Sequence, residues 1–170
     1  MKSFVWIILP IITYFNLQTM NTVSEFKLQE YMGAWYEIAR FQHRFEKDLE
    51  CVTASYKQMD NGKIEVVNKG VFHNNPDSSK SITGKAWIPD LKEPGKLKVR
   101  FFWPFSAKYW VLYVDENYQY AIVGHPSRKY LWILSRNPII SDEQYKFLVE
   151  KAAEIGYKTE NLYRVKQNCK

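Results

Sequence analysis

The sequence predicts an all-β fold, an eight-stranded antiparallel up-and-down β-barrel with one C-terminal α-helix packed on its wall. Three observations carry this expectation. Eight short runs alternate apolar and polar residues, the period of a half-buried strand. The links between runs alternate short and long, so tight turns gather at one end and loops at the other. A single helical pattern, bounded at both ends by capping residues, follows the eighth run.

Taken in order, the chain of 170 residues is 46% hydrophobic and 16% aromatic, enough for one domain with a substantial core. It opens with Lys2 and an apolar run from Phe4 to about Phe15, the layout of a secretory leader and shorter than the roughly 20 residues a bilayer span needs. We expect a signal peptide over 1–22 and a single domain over 23–170. No small-x-small pattern marks a cleavage site between Gln18 and Ser24, so an uncleaved anchor stands as the other reading. The first cysteine is Cys51, which gives the leader no lipidation site and points to an exported form, periplasmic or secreted.

The alternating runs are Trp35 to Ala39, Thr53 to Gln58, Ile64 to Lys69, Ser81 to Trp87, Leu97 to Phe102, Tyr109 to Val114, Tyr120 to Val123 and Leu131 to Ser135. Asp60-Asn61-Gly62 is a hairpin signal between the second and third, and residues 115–119 are another between the sixth and seventh. "PDLKEPG" turns the chain between the fourth and fifth. The links at 42–50 and 102–108 are longer and belong to the open end. In the helix, Ser141 is the N-cap, Gln144 completes a capping-box spacing and Gly156 supplies the stop, while Tyr145, Leu148, Ala152 and Ile155 share one face.

Eight strands enclose room for one small ligand as well as side chains. Phasing each strand from its apolar row turns Tyr56, Val66, Asn68, Val99, Phe101, Tyr109, Val111, Tyr130 and Trp132 inward. These residues either fill a core or line a pocket. The net charge of +6 raises nucleic acid or anionic lipid as a partner. In "KLKVRF", however, Lys96, Lys98 and Arg100 share the solvated outer face and the aromatics are phased to the other, which argues against nucleic acid. The three histidines, His43, His73 and His125, read as surface residues without metal-ligand spacing, and no cofactor motif appears. Asp48 and Glu50 read as solvated loop acids. Cys51 is the only plausible nucleophile; paired with Cys169 in one disulfide it would be silent, the alternative being two buried thiols. No metal site, cofactor or catalytic set is therefore expected, and the protein reads as a non-enzyme.

Three ordered stretches resemble the lipocalin family, in the branch of bacterial lipocalins, plant temperature-induced lipocalins and apolipoprotein D. "GAWYEIARF", with Gly33 and Trp35, is similar to the family's Gly-x-Trp motif; "VDENYQYAIV", with Asp115 and Tyr118, to its second motif, though valine stands where many relatives have threonine. "YLWILSRNP" resembles the third, whose arginine is Arg136. The resemblance implies that Arg136 packs over Trp35 at the closed end. It implies that Cys51 joins Cys169, and that Tyr56, Asn68, Phe101, Tyr109 and Trp132 line a ligand pocket. It also implies a small hydrophobic ligand, best a fatty acid or lysophospholipid-like lipid with one polar end, carried, stored or used in membrane maintenance by a monomer or homodimer. The rim stretch "FFWPFSAKYW" supplies Phe102, Trp103 and Phe105 as either a membrane contact, helped by Lys108, or a lid. The second functional class, a lipocalin-type isomerase or de-epoxidase, has against it the lack of paired acids phased into the cavity.

Overall fold

The structure, a computed structural model, describes residues 19–169. Most of the expected leader thus falls outside the described residues. Eight strands follow one another around a closed barrel: β1 (Gly33–Phe41), β2 (Leu49–Gln58), β3 (Ile64–Phe72), β4 (Asn75–Trp87), β5 (Lys96–Arg100), β6 (Ala107–Val114), β7 (Tyr120–Gly124) and β8 (Leu131–Ser135). Each pairs antiparallel with its neighbours, and β1 closes the ring by pairing with both β2 and β8. All eight alternating runs are strands. β4 reaches back to Asn75 through a polar stretch because its backbone continues to pair with β3, and β5 stops at Arg100 rather than Phe102. Cross-strand hydrogen bonding sets these ends, where side-chain alternation carries little signal.

The helix, α2 (Asp142–Glu154), is capped as expected: Ser141 Oγ accepts from the Gln144 amide at 3.1 Å, and Gly156 takes φ +95° beyond the C-terminus. Its buried Leu148 and Ala152 pack with Ala39, Ile122 and Ile133 on the outside of the barrel. Two short elements lack a legible pattern. α1 (Leu28–Tyr31) crosses the closed end, and β9 (Leu162–Arg164) pairs with residues 39–41 of β1.

One disulfide joins Cys51 to Cys169, with Cα atoms 6.0 Å apart, and there are no free cysteines. The tail is held by more than sulfur. Gln167 Nε2 donates to the carbonyls of Glu37 and Val52, and the Lys166 amide donates to Glu50. Glu50 is therefore not the solvated acid expected. It is buried, also accepts from the Tyr163 hydroxyl, and anchors the C-terminus to β2.

The separation of basic and aromatic residues onto opposite faces is likewise corrected. The register sets Lys98 between Trp87 on β4 and Lys108 on β6, and Lys96 opposite Trp110. Two indoles therefore sit on the same outer wall as the lysines, because β4 and β6 each carry a tryptophan in the outward phase, Trp87 and Trp110, while Tyr109 of β6 takes the inward one.

The closed end is sealed by contacts around Trp35. Its indole N–H donates to the Tyr31 carbonyl at 2.8 Å, and the Arg136 guanidinium lies over the ring, 3.8 Å from its centroid. Arg136 also donates to the carbonyls of Ala34, Glu30 and Met32 at 2.7, 2.7 and 2.8 Å, and to that of Tyr118 at 3.3 Å. Gly33 makes this approach feasible: it has φ +93°, and a Cβ there would come within 3.4 Å of Arg136 Nη1. Asp115 organises the β6–β7 turn by accepting from the amides of Asn117, Gln119 and Tyr120. Tyr118, with φ +53° in that turn, accepts from the Lys27 amide through its hydroxyl.

Candidate functional site

Above this seal the barrel is hollow. A cavity of about 730 Å³ opens at the loop end, with walls that include Val52, Asn68, Ile82, Val99, Phe101, Tyr109 and Trp132. A smaller cavity of about 80 Å³ lies deeper, lined by Tyr56, Glu37, Val66 and Leu134. Asn68, Phe101, Tyr109 and Trp132 border both, so four of the five proposed ligand-binding residues meet at the junction and Tyr56 sits one layer below. Gly84 provides the space for Phe101, since a Cβ at that position would lie 2.6 Å from its ring.

The floor of the deep cavity is a cluster of tyrosine hydroxyls. Tyr109 hydrogen bonds to Tyr31 at 2.7 Å and to Tyr56 at 2.8 Å. Burial pushes all three phenols up, Tyr56 to about 12, so all stay neutral at physiological pH. These hydroxyls satisfy one another, whereas Asn68 Oδ1 is buried without a partner among the described residues.

Along one side the barrel encloses charge. A bulge between Glu37 and Ala39 shifts the phase of β1, so Ala39 faces outward toward α2 and Arg40 shares the inward side of its partner Trp132. Arg40 is wholly buried. It donates to Glu37 at 2.7 Å and to the carbonyls of Glu46 and Leu49 at 2.6 and 2.8 Å. Glu46 reaches in from the 42–48 link, accepts from Trp132 Nε1 at 3.2 Å, and lies 3.0 Å from His43 Nε2, off the ring's N–H axis.

The two carboxyls share the field of one buried guanidinium and titrate oppositely. Burial, then the nearby Glu46, lifts Glu37 to about 8. Burial would also lift Glu46, but His43, Trp132 and Arg40 outweigh it and leave that carboxyl below its ordinary value. Glu46 is therefore the ionised partner, and Glu37 holds a proton into the neutral range.

These groups correct two expectations. His43 is not a surface histidine: its ring lies 5.6 Å from Tyr130 and 5.5 Å from Trp132 and lines the cavity, while His125 stands at the cavity wall and His73 is exposed. Nor does the interior lack paired acids, since Glu37 borders the deep cavity and Glu46 the upper one. The available signal was "HRFE", a histidine and glutamate three apart in a link long enough to fold back over the mouth.

At the rim, Phe102, Trp103 and Phe105 are 64%, 81% and 78% exposed. Phe102 and Phe105 border the mouth, and Trp103 is not among the lining residues. Across from them Arg44 stacks on Phe45, and Lys80 Nζ donates to the Phe45 carbonyl, tying the 42–48 link to β4.

A family model described as a lipocalin-like domain matches residues 26–167. The chain is 44% identical over 150 residues to the outer membrane lipoprotein Blc of Citrobacter freundii, covering 87% of this chain and 83% of that protein. It is 41% identical over 158 residues to temperature-induced lipocalin-1 of Arabidopsis thaliana, covering 88% and 83%. Against apolipoprotein D of Bos taurus it is 35% identical over 154 residues, covering 86% and 80%.

Proposed function

The chain belongs to the lipocalin-like family, and from that premise we propose that it takes up a single-tailed lipid, a fatty acid or lysophospholipid, for transport, storage or membrane maintenance. The observation that carries this reading is the 730 Å³ cavity, whose apolar walls suit an acyl chain and whose few polar groups converge near Asn68, Tyr109 and Trp132. An acyl chain entering tail-first buries roughly 0.8 kcal/mol for each CH₂, which favours a long chain over a compact polar metabolite. Asn68 brings an acceptor without a hydrogen-bond partner among the described residues, suited to a ligand hydroxyl or amide.

Lipid extraction from the purified protein followed by mass spectrometry tests this directly, paired with titration of an oleate or lysophosphatidylcholine series against tryptophan fluorescence. We expect a co-purifying single-chain lipid and saturable quenching that Phe101→Ala and Trp132→Ala weaken. No extractable lipid together with no saturable change would sink the reading. We further propose that the protein is exported and that Phe102, Trp103 and Phe105 touch the membrane from which the lipid enters. Equal flotation of wild type and Trp103→Ala with liposomes would remove that contact.

A second reading, an isomerase or de-epoxidase, gains one specific observation: Glu37 is a buried acid with a pKa near 8 at the cavity floor. A lipid recovered chemically unchanged after prolonged incubation argues for binding alone.

A further inference from the structure

The outer wall built by β4, β5 and β6 carries a pattern that folding does not require. Lys98 on β5 is registered directly against Lys108 on β6, and Arg100 against Lys85 on β4. Like charges directly opposite on one sheet face repel. The wall does little to neutralise them. Glu93 pairs with Lys96, and Glu65 on β3 is registered directly against Lys85 but forms no ion pair with it. Lys85, Lys98, Arg100 and Lys108 have no carboxylate at ion-pair distance among the described residues.

Two half-buried tryptophans lie among these cations. Lys96 and Lys108 sit over Trp110 at 4.9 and 5.8 Å, and Arg100 over Trp87 at 5.8 Å. Beyond Arg100 the chain runs straight into the exposed Phe102, Trp103 and Phe105. The cationic stripe and the aromatic rim are therefore one continuous surface. From Lys96 to Arg100 it extends about 13 Å along the strand, comparable to the Debye length of roughly 8 Å in physiological salt.

We propose that this wall is a docking surface for a bilayer rich in anionic headgroups, so that the barrel lies tilted with β4–β6 against the headgroups and its rim aromatics inserted. Charge complementarity and continuity with the apolar rim favour a bilayer over single-stranded nucleic acid. The indoles are covered by lysine and arginine rather than open to base stacking. The wall faces outward from the barrel and meets the cavity only at the mouth, where Phe102, Phe105 and Lys108 border it, and a vesicle measurement needs no cavity ligand.

Sedimentation with vesicles of phosphatidylcholine, alone or with about one-third phosphatidylglycerol, reads the proposal. The wild type should bind the anionic vesicles about ten-fold more tightly than the neutral ones, and lose that preference in roughly 0.5 M salt. The triple variant K85E/K98E/K108E, all at exposed positions, should lose at least about ten-fold on anionic vesicles, from three reversed charges. The matched triple K57E/K63E/K146E brings the same fall in net charge from +6 to 0 away from this wall, and should stay within about three-fold of wild type.

Circular dichroism confirms that each variant is folded. Trp103→Ala should weaken binding to both vesicle types while leaving the anionic preference intact. Undiminished anionic binding by the first triple, equal loss in the second, or capture of a single-stranded oligonucleotide that anionic vesicles fail to displace would each overturn the proposal. Cavity occupancy, measured by oleate titration without vesicles, should be unchanged in the double variant K85E/K98E, which leaves Lys108 at the mouth in place. Its loss in the wild type would refute the ligand reading alone.

Discussion

Replacing Arg136 by alanine separates the part of the barrel that holds it shut from the part that holds a ligand. The guanidinium makes three short hydrogen bonds, to the carbonyls of Glu30, Met32 and Ala34, one longer bond to Tyr118, and a stack on Trp35. The side chain is half-buried, so water will re-solvate the freed carbonyls, and each short bond is worth about 0.7 kcal/mol net. Adding about 1 kcal/mol for the stack gives a loss of roughly 3 kcal/mol. For a domain of this length that is a fall in Tm of about 6 to 12 °C. Arg136→Lys keeps a cation over the indole but cannot span several carbonyls from one nitrogen, and should fall between the two. Thermal unfolding by circular dichroism gives the Tm, and oleate titration well below it gives the affinity. Because Arg136 lies at the end opposite the mouth, affinity should stay within about two-fold, a change near 0.4 kcal/mol. A Tm within about 2 °C of wild type would refute the energetics, since it corresponds to less than roughly 1 kcal/mol. A large affinity loss at native stability would refute the division between seal and cup.

Other consequences follow from the same geometry. Converting both Cys51 and Cys169 to serine opens a loop of 118 residues, at a cost of about 5 kcal/mol on chain entropy. The tail's backbone contacts should keep the fold native by circular dichroism while the urea midpoint drops. Gly84→Ala should drive Phe101 from its place in the cavity wall, lowering oleate affinity several-fold with a stability loss of about 1 to 3 kcal/mol; unchanged affinity would show that the ring is free to move aside. Glu37 has a folded pKa near 8, above its unfolded value, so the folded state holds the extra proton. The stabilisation is complete below the unfolded pKa of 4.5 and is lost as pH rises toward 8, at up to about 1.4 kcal/mol per pH unit. Urea unfolding at several pH values should show that decline in wild type and a flatter profile in Glu37→Gln; identical slopes would mean that Glu37 is already ionised.

The barrel was legible because a closed sheet imposes period-two alternation on every strand, and the turn residues Asp60, Asn61 and Gly62 or Asp115 to Gln119 mark where it reverses. Cavity-lining positions on regular strands, such as Asn68 and Trp132, follow from the same parity. Alternation fails at Arg40, where one extra residue on β1 reverses the inward phase. It also says nothing about 42–48, a link whose His43 and Glu46 are placed by Trp132, nearly ninety residues away in sequence. β9 is too short for a period, and Leu162 to Arg164 become a strand only because the edge of β1 at residues 39–41 needs a partner. Glu50 misled for a related reason: an acid next to a cysteine looks like loop chemistry until the C-terminal tail arrives to bury it.

The bulge in β1 has a consequence for anyone who would alter this protein. It divides a single strand into two segments with independent phase: before it, Gly33 and Trp35 keep the base shut, and after it Arg40 sets the charge beneath the mouth. A library that randomises the upper half can change what the cup prefers without unfastening the base. A deletion of one residue at 38 would instead remove the bulge and leave a regular strand, with Glu37 opposite Leu134, Ala39 opposite Ile133 and Arg40 still inward opposite Trp132, at the expense of the packing of Ile38 against α2.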